Sequence, residues 1–171
     1  MPSEAPTAPA ATVSPQELAG PPTDLIGAAS ARDAIELLHT TAYGRISLSL
    51  QALPHVAVAR HIVTDGTVLL RVHRGWGYHR ACDGSVVGYG ADCLPRNCST
   101  AHGEPEDIWS VQFAGTARIV DPTPEELERF GPAPDTADGV PYEPTYLRIE
   151  PQCVTVHHLT GVPVHRPQHG V

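Results

Sequence analysis

The sequence predicts a mainly β protein of the α+β class, built as a small antiparallel β-barrel of about six strands with short flanking helices. Three observations favour this fold. Strand-like segments follow one another along the chain, a tight turn joins two of them, and helix signals occur only before the first strand and late in the chain. The turn is Thr64-Asp65-Gly66-Thr67, in which Asp-Gly supplies the positive φ angles of a two-residue reversal.

Two helices are predicted, one on each side of most of the strands. Ser30, followed three residues later by Asp33, caps a short amphipathic helix that ends at His39. The second helix covers Pro124–Phe130, and Thr123 is its cap.

Six segments carry the apolar and β-branched residues that are typical of strands. They are Tyr43–Leu50, His55–Thr64, Val68–His73, Val86–Ala91, Ile108–Val120 and Thr145–His158. Gly88 and Gly90 weaken the fourth strand, and Pro151 limits the regular pairing of the sixth.

Composition narrows the class of protein. The 171 residues suffice for one buried core, so we expect a single domain over residues 23–171 after a disordered Ala/Pro-rich arm at residues 1–22. A net charge of -8 argues against nucleic acid as a partner. The chain has no apolar run of roughly 20 residues and no signal-peptide pattern, so we expect no membrane span and a cytoplasmic location.

Four segments resemble, in order and spacing, the pyridoxamine 5'-phosphate-oxidase-like split barrels, a family with flavin- and deazaflavin-dependent oxidoreductases. Ile108 to Val120 resembles the family's Trp/Arg-Ser-Val…Gly-x-Ala-Arg strand, and Tyr43 to Leu48 resembles its Gly-Arg-hydrophobic-Ser/Ala strand. Pro54 to Arg60 lies where a strand lines the cofactor, and Tyr146 to Thr155 resembles the closing strand. The resemblance covers about residues 30–160. It implies a six-stranded antiparallel split β-barrel and a homodimer with cofactor at the interface.

The resemblance also implies where a cofactor phosphate binds. In the family a short helix after the third strand carries a phosphate-binding lysine, and its position falls near Tyr78 or His79. The chain contains no lysine, so Arg74, His79 or Arg80 must take this role. Arginine suits it because its planar fork pairs with two phosphate oxygens.

Further cofactor-binding residues are implied by the strands and the turn that face the cofactor in the family. With the phosphate candidates, the set is His55, Arg60, Arg71, His73, Arg74, Trp76, Tyr78, His79, Arg80 and Trp109. We expect His73 and Tyr78 to be catalytic, because hydride transfer leaves a substrate that needs a proton donor. The alternative for each histidine is a hydrogen-bonded structural role, and for each tryptophan a place in the core.

The function implied by the resemblance is a reductase that uses FMN or the deazaflavin F-420. Such an enzyme delivers hydride to a small organic substrate, for example a conjugated enone or a quinone-like ring, in secondary metabolism. The alternatives are a nitroaromatic-inactivating reductase and a non-catalytic protein that binds flavin or haem.

Two metal hypotheses arise from the residues themselves. His61, His157 and His158 are candidate haem ligands, although the sequence lacks the Cys-x-x-Cys-His motif of covalent haem. Cys82, Cys93, Cys98 and His102 have the donor types of a zinc site, but not a standard spacing, so we assign no metal ligand. In a cytosolic protein we expect no disulfide among these cysteines.

Overall fold

The computed structural model describes residues 28–93 and 106–162. The order of elements is α1 (Ala28–His39), β1 (Tyr43–Leu50), β2 (Leu53–Thr64), β3 (Thr67–His73), a 3₁₀ turn (Arg74–Trp76), α2 (Tyr78–Cys82), β4 (Val86–Cys93), β5 (Glu106–Val120), α3 (Pro124–Phe130), β6 (Thr136–Ala137), β7 (Val140–Pro141) and β8 (Pro144–Val162). The predicted arm at residues 1–22 lies outside the described residues. None of the described helices is long and apolar enough to cross a membrane.

Six strands close into an antiparallel barrel in the order β1-β2-β3-β8-β5-β4. This confirms the predicted six-stranded barrel. The structure adds a small hairpin of β6 and β7 beside the barrel, which the sequence analysis did not predict. Its turn, Asp138-Gly139, has positive φ angles of 51° and 81°, so the same Asp-Gly signal that marks the β2–β3 turn was present.

The irregularity expected near Pro151 is present as a β-bulge. Ala114 pairs with Cys153 and Gly115 pairs with Pro151, which leaves Gln152 without a partner across the strand pair. Gly115 fits here because a Cβ at this position would collide with the backbone oxygen of Glu150. The bulge lets β8 continue past the proline as far as Val162.

Two apolar clusters stabilise the barrel. The larger one fills its interior and includes Leu38, Ile46, Leu70, Phe113 and Leu147, all at most 2% exposed. A smaller one, Ile62, Leu69 and Phe130, packs α3 against the outer face of β2 and β3. Packing on both faces fixes β3 firmly and therefore positions the residues that follow it.

The first turn of α3 is held by a capping box and an ion pair. Thr123 and Glu126 form a capping box, with Thr123 N–H donating to Glu126 over 2.9 Å. Arg148 of β8 donates to the same carboxylate over 2.9 Å. The capping box and the arginine hold the pKa of Glu126 below its usual value against the opposing effect of burial.

Candidate functional site

Five aromatic rings form a continuous row beside the connection between β3 and α2. Ring centroids are 5.6 Å apart for His55 and Tyr78, 6.1 Å for Tyr78 and Trp76, 5.6 Å for Trp76 and His73, and 5.2 Å for His73 and Tyr142. These separations fit tilted and edge-to-face aromatic packing. The row, called the aromatic row below, brings together four of the residues predicted for the site. Tyr142 is the fifth ring and was not predicted.

The backbone around Gly75 and Gly77 makes the row possible. A Cβ at Gly75 would collide with Nε2 of His73, so only glycine lets the 3₁₀ turn pass this close to the imidazole. Gly77 has a φ of 75° and ends the 3₁₀ turn where α2 begins. The two glycines thus place Trp76 and Tyr78 on successive short turns beside His73.

His73 lies in the middle of the row and is 3% exposed. Its Nδ1 accepts a hydrogen bond from the Glu143 backbone N–H over 3.1 Å, and Arg74 N–H donates to the Glu143 carbonyl over 2.7 Å. The imidazole therefore fastens the segment before β8 to the end of β3. Tyr78 is half-buried, and part of its side chain packs against the main core, whereas His73 is buried.

A cavity of about 230 Å³ adjoins the aromatic row. It lies under the β6–β7 hairpin and is called the hairpin pocket below. Its lining consists of barrel residues, one residue of the 3₁₀ turn and residues of the hairpin segment: Tyr43, Val58, Arg60, Arg71, Trp76, Pro134, Thr136, Ala137 and Tyr142. Of these, Arg60, Arg71 and Trp76 were predicted as site residues.

Strand register places the two pocket arginines side by side. Arg60 of β2 pairs with Tyr43 of β1 on one side and with Arg71 of β3 on the other. The Arg60 guanidinium lies 5.7 Å from the centre of the Tyr43 ring, and its Nε is buried without a hydrogen-bond partner. Arg71 donates to the carbonyls of Gly131 and Pro132 over 2.8 and 2.9 Å.

The lining of the hairpin pocket contains two arginines and no carboxylate. In residues 28–93 and 106–162 the ion pairs are Arg45 with Asp92 and Arg148 with Glu126, so no described carboxylate pairs with Arg60 or Arg71. Burial raises the pKa of the neighbouring Tyr142, while the charge of Arg71 opposes this. Two cations and a neutral phenol thus face the same small space.

Two arginines and a buried histidine lie at the 3₁₀ turn and at α2. His79 is 6% exposed and its Nδ1 has no hydrogen-bond partner among the described residues. Burial lowers the pKa of His79, and the positive charges of Arg80 and Arg74 lower it further. Both arginines therefore act on the imidazole of His79. Arg74 and Arg80 are exposed.

Trp109 occupies a different part of the barrel. It lies on β5 between Cys93 of β4 and His158 of β8, and it packs against the main core. Within the described part of the chain no ring contact joins it to the aromatic row. Its position matches the alternative of a core residue.

The hydrogen bonds of His61 argue against its role as a haem ligand. Its Nε2 donates to the Leu38 carbonyl over 2.9 Å, so in the neutral ring Nδ1 accepts from the Tyr89 hydroxyl over 2.6 Å. Both ring nitrogens are occupied, which leaves neither for iron. His157 and His158 are exposed neighbours on β8, and successive strand residues point to opposite faces, so they cannot converge on one metal.

The zinc hypothesis is also weakened. Cys82 is a buried thiol whose pKa is raised to about 11 by burial, so it is protonated near neutral pH. Cys93 is disulfide-bonded, which removes its sulfur as a thiolate ligand and shows that the expectation of no disulfide was wrong. Cys98 and His102 lie outside the described residues. Within the described ranges no cluster of three or more metal-ligating side chains occurs.

A larger, shallow groove of about 330 Å³ lies on another face of the barrel. It follows β1, β4, β5 and β8, and small residues such as Ser47, Gly88 and Gly90 line much of it. The Arg45–Asp92 ion pair borders it, with 2.6 Å between the charged atoms. None of the predicted site residues lines this groove.

Solved structures of other proteins support the barrel fold. No curated protein matches the sequence significantly. An FAD-binding protein from Mycobacterium smegmatis is similar in structure, with 24% identity, a TM-score of 0.56, and coverage of 78% of this chain and 98% of the other. A flavocytochrome from Azotobacter vinelandii has 12% identity, a TM-score of 0.55, and coverage of 79% and 70%. A heme-binding protein from Mycobacterium smegmatis has 13% identity, a TM-score of 0.53, and coverage of 80% and 60%.

The sequence itself shows the family. The model of the pyridoxamine 5'-phosphate oxidase family matches residues 30–161, which span the barrel from α1 to the end of β8. The chain therefore belongs to the pyridoxamine 5'-phosphate oxidase family.

Proposed function

We propose that this protein is an oxidoreductase that binds a flavin-type cofactor beside the aromatic row and reduces a small organic molecule. The observation that carries the proposal is the adjacency of the aromatic row to two exposed arginines, Arg74 and Arg80, and to the buried imidazole of His79, whose Nδ1 has no described hydrogen-bond partner. A planar ring system with a phosphate needs both features, aromatic or apolar surface for the ring and guanidinium groups for the phosphate.

The residues fit such a cofactor on two counts. The unpartnered Nδ1 of His79 is a buried polar atom, which is costly unless a ligand supplies its hydrogen bond. Arg74 and Arg80 are exposed beside it and make no ion pair with a described carboxylate. In this proposal Arg74 and Arg80 bind the phosphate, and His55, Tyr78 and the other rings of the row orient the planar ring.

A reduced flavin or deazaflavin, when bound, supplies hydride to an electrophilic carbon. The chain's own contribution is to position both molecules and to provide a proton. We assign the proton to the hydroxyl of Tyr78, which is half-buried, whereas His73 is buried and its Nδ1 accepts from the Glu143 backbone N–H. FMN and F-420 are both candidate cofactors, and conjugated enones and quinone-like rings of secondary metabolism are candidate substrates.

A non-catalytic flavin-binding role is the alternative. The hairpin pocket favours the enzyme, because it offers room for a second molecule against Trp76, a member of the aromatic row. A protein that only stores a cofactor has no need of such a space. A panel of enones, quinones and nitroaromatics tests the difference: reoxidation of the reduced, bound cofactor by one of them supports the enzyme, and no reoxidation by any supports the binding role.

The proposed assembly is a homodimer. Tyr43, Val56 and Val58 lie on the outer face of β1 and β2, and each is more than half exposed. An apolar strip of this kind on a sheet is a candidate contact surface. Size-exclusion chromatography with light scattering tests it: we expect a dimer that Val56→Arg dissociates. A wild-type monomer would contradict this part of the proposal.

Titration of the purified protein with FMN and F-420 tests cofactor binding directly. We expect saturable quenching of cofactor fluorescence, with Arg80→Ala weakening affinity about tenfold or more through loss of charge-assisted phosphate contacts. Arg32→Ala on α1 is the control, because Arg32 is exposed and lies on a different element. Arg129 of α3 is less suitable, since it donates to the Val63 carbonyl over 2.7 Å. Equal effects of Arg80→Ala and Arg32→Ala would reject this phosphate site.

A further inference from the structure

We propose that the hairpin pocket binds the carboxylate of a small planar acid, and that such an acid is the substrate reduced at the adjoining site. The assignment of the acid as a substrate rests on the proposed function. The binding of its carboxylate rests on the pocket alone. It assigns Arg60 and Arg71 to the substrate instead of the cofactor.

The charge of the pocket points to an anion. Arg60 and Arg71 lie directly opposite each other on β2 and β3, and like charges in this arrangement repel. No described carboxylate neutralises them. An anion placed between the two guanidinium groups would remove the repulsion and supply a partner for the buried Nε of Arg60.

The geometry favours a carboxylate held by the fork of Arg60, whose Nε has no described hydrogen-bond partner, because both Nη atoms of Arg71 already donate to backbone carbonyls. Arg71 is 3% exposed and is fixed by its bonds to the Gly131 and Pro132 carbonyls, so its orientation is preset. The Arg60 guanidinium lies 5.7 Å from the centre of the Tyr43 ring, and this cation–π contact restrains its orientation. A guanidinium that is already ordered loses little entropy when it pairs with a planar, bidentate acceptor.

The other lining residues select a flat molecule of limited size. Tyr43, Trp76 and Tyr142 surround the space with aromatic surface, which favours stacking against a ring. The volume of about 230 Å³ is smaller than the about 300 to 1,000 Å³ of pockets for drug-sized ligands. A single-ring acid fits these limits.

The position of the pocket links it to the reaction site. Trp76 lines the pocket and also lies in the aromatic row, 6.1 Å from Tyr78 between ring centres. An acid with its carboxylate between Arg60 and Arg71 would therefore extend toward Tyr78, the proposed proton donor. The pocket thus orients the substrate by its charged end and leaves its ring beside the cofactor residues.

Calorimetric titration of the full-length protein without cofactor tests the inference, with benzoate as the probe and benzamide as its neutral isostere. We expect benzoate to bind and benzamide to bind at least about tenfold more weakly, because only the anion pairs with the arginines. Quenching of tryptophan emission by benzoate should persist in Trp109→Phe, which leaves Trp76 as the reporter. Equal affinity for benzoate and benzamide would overturn the inference.

Variants at Arg60 locate the binding. Arg60→Gln should weaken benzoate binding about tenfold or more, Arg60→Lys should recover part of the loss, and Arg32→Gln on α1 should change nothing. If Arg60→Gln fails to fold by circular dichroism, the benzoate and benzamide comparison on wild type and the Arg60→Lys variant still decide. Unchanged benzoate binding in a folded Arg60→Gln protein would overturn the assignment, and so would inorganic phosphate that binds as tightly as benzoate.

The same samples titrated with FMN and F-420 separate the two proposals. Cofactor binding without benzoate binding overturns the acid pocket and leaves the oxidoreductase proposal intact. Benzoate binding without binding of either cofactor supports the pocket and contradicts the proposed function.

Discussion

Trp76 donates its indole N–H to the carboxylate of Asp138 over 2.7 Å, although 62 residues separate them in the chain. This bond fastens the tip of the β6–β7 hairpin to the 3₁₀ turn that follows β3. The base of the same segment is held by Arg71, through the carbonyls of Gly131 and Pro132. The hairpin pocket therefore depends on two anchors that lie outside the barrel interior.

The first prediction concerns the anchor at Asp138. Asp138→Ala should loosen the hairpin while the barrel keeps its core, because it removes the acceptor of the Trp76 bond and because alanine is less favoured than aspartate at the positive φ of 51°. The bond is exposed, so we expect a loss of less than about 1 kcal/mol in unfolding free energy but faster amide hydrogen exchange across residues 132–142. Asp138→Asn is the control, since its side-chain oxygen can still accept. Unchanged exchange in Asp138→Ala would show that the hairpin is held in another way.

The second prediction concerns pH and His61. Burial lowers the pKa of His61, the hydrogen bond to the Leu38 carbonyl opposes this, and the charges of His39 and Arg60 lower it further. Because the folded pKa lies below the unfolded one, the unfolded state takes up the proton first as pH falls. Stability is thus fully present above the unfolded pKa near 6.5 and declines as pH falls from there toward the folded pKa.

Urea unfolding over about pH 5 to 8 measures this dependence. One such group contributes at most about 1.4 kcal/mol per pH unit. His61→Phe should flatten the profile and lower stability at neutral pH by about 1 to 3 kcal/mol, because the Leu38 carbonyl and the Tyr89 hydroxyl lose their shared partner. His157→Phe, at an exposed position, is the matched control. A His61→Phe profile as steep as that of wild type would show that another group causes the slope.

The third prediction concerns thiol reactivity. Cys82 is buried and its pKa is about 11, so only about one molecule in a thousand carries the thiolate at about pH 8. Cys153 is an exposed free cysteine on β8. Iodoacetamide should therefore modify Cys153 in the native protein and Cys82 only after unfolding in urea, as peptide mass spectrometry would reveal. Equal native labelling of the two would contradict the burial of Cys82.

The fourth prediction concerns the close approach at the β8 bulge. Gly115→Ala should destabilise the barrel by about 1 to 3 kcal/mol, because the new Cβ collides with the Glu150 backbone, which cannot easily move. Gly88→Ala on β4 is the control, since its Cβ would meet Ser47 at an ordinary 3.5 Å. Thermal unfolding of both variants decides the matter, and equal melting temperatures would contradict the account.

Much of the fold was predictable because its elements are set by nearby residues. β1 and α3 begin and end where the sequence predicts, the latter because Thr123 and Glu126 form a local capping box. β8 runs further than predicted, to Val162, because β5 offers pairing partners as far as Glu106. The β6–β7 hairpin was missed although Asp138-Gly139 signals a turn, since strands of two residues show no alternating pattern.

The candidate site was predictable in part. The resemblance supplied His55, His73, Trp76 and Tyr78, which the structure joins in one row. It did not supply Tyr142, which arrives from a segment next to the unpredicted hairpin and contacts His73. It also grouped Trp109 with these residues; Trp109 lies on β5 and makes no ring contact with the row among the described residues, so its place in the site stays a prediction.

By itself the sequence determined the local elements, the family and the cationic character of α2, because capping, turn formation and residue type act within a few positions of the chain. Only the tertiary structure decided that Arg60 lies opposite Arg71 and that Trp76 donates to Asp138. It also decided that both ring nitrogens of His61 form hydrogen bonds, one with the Leu38 carbonyl and one with the Tyr89 hydroxyl. Such contacts depend on strand register and on barrel closure. A shift of one residue in the register of β2, for example, would turn Arg60 and His61 to the opposite faces of the sheet.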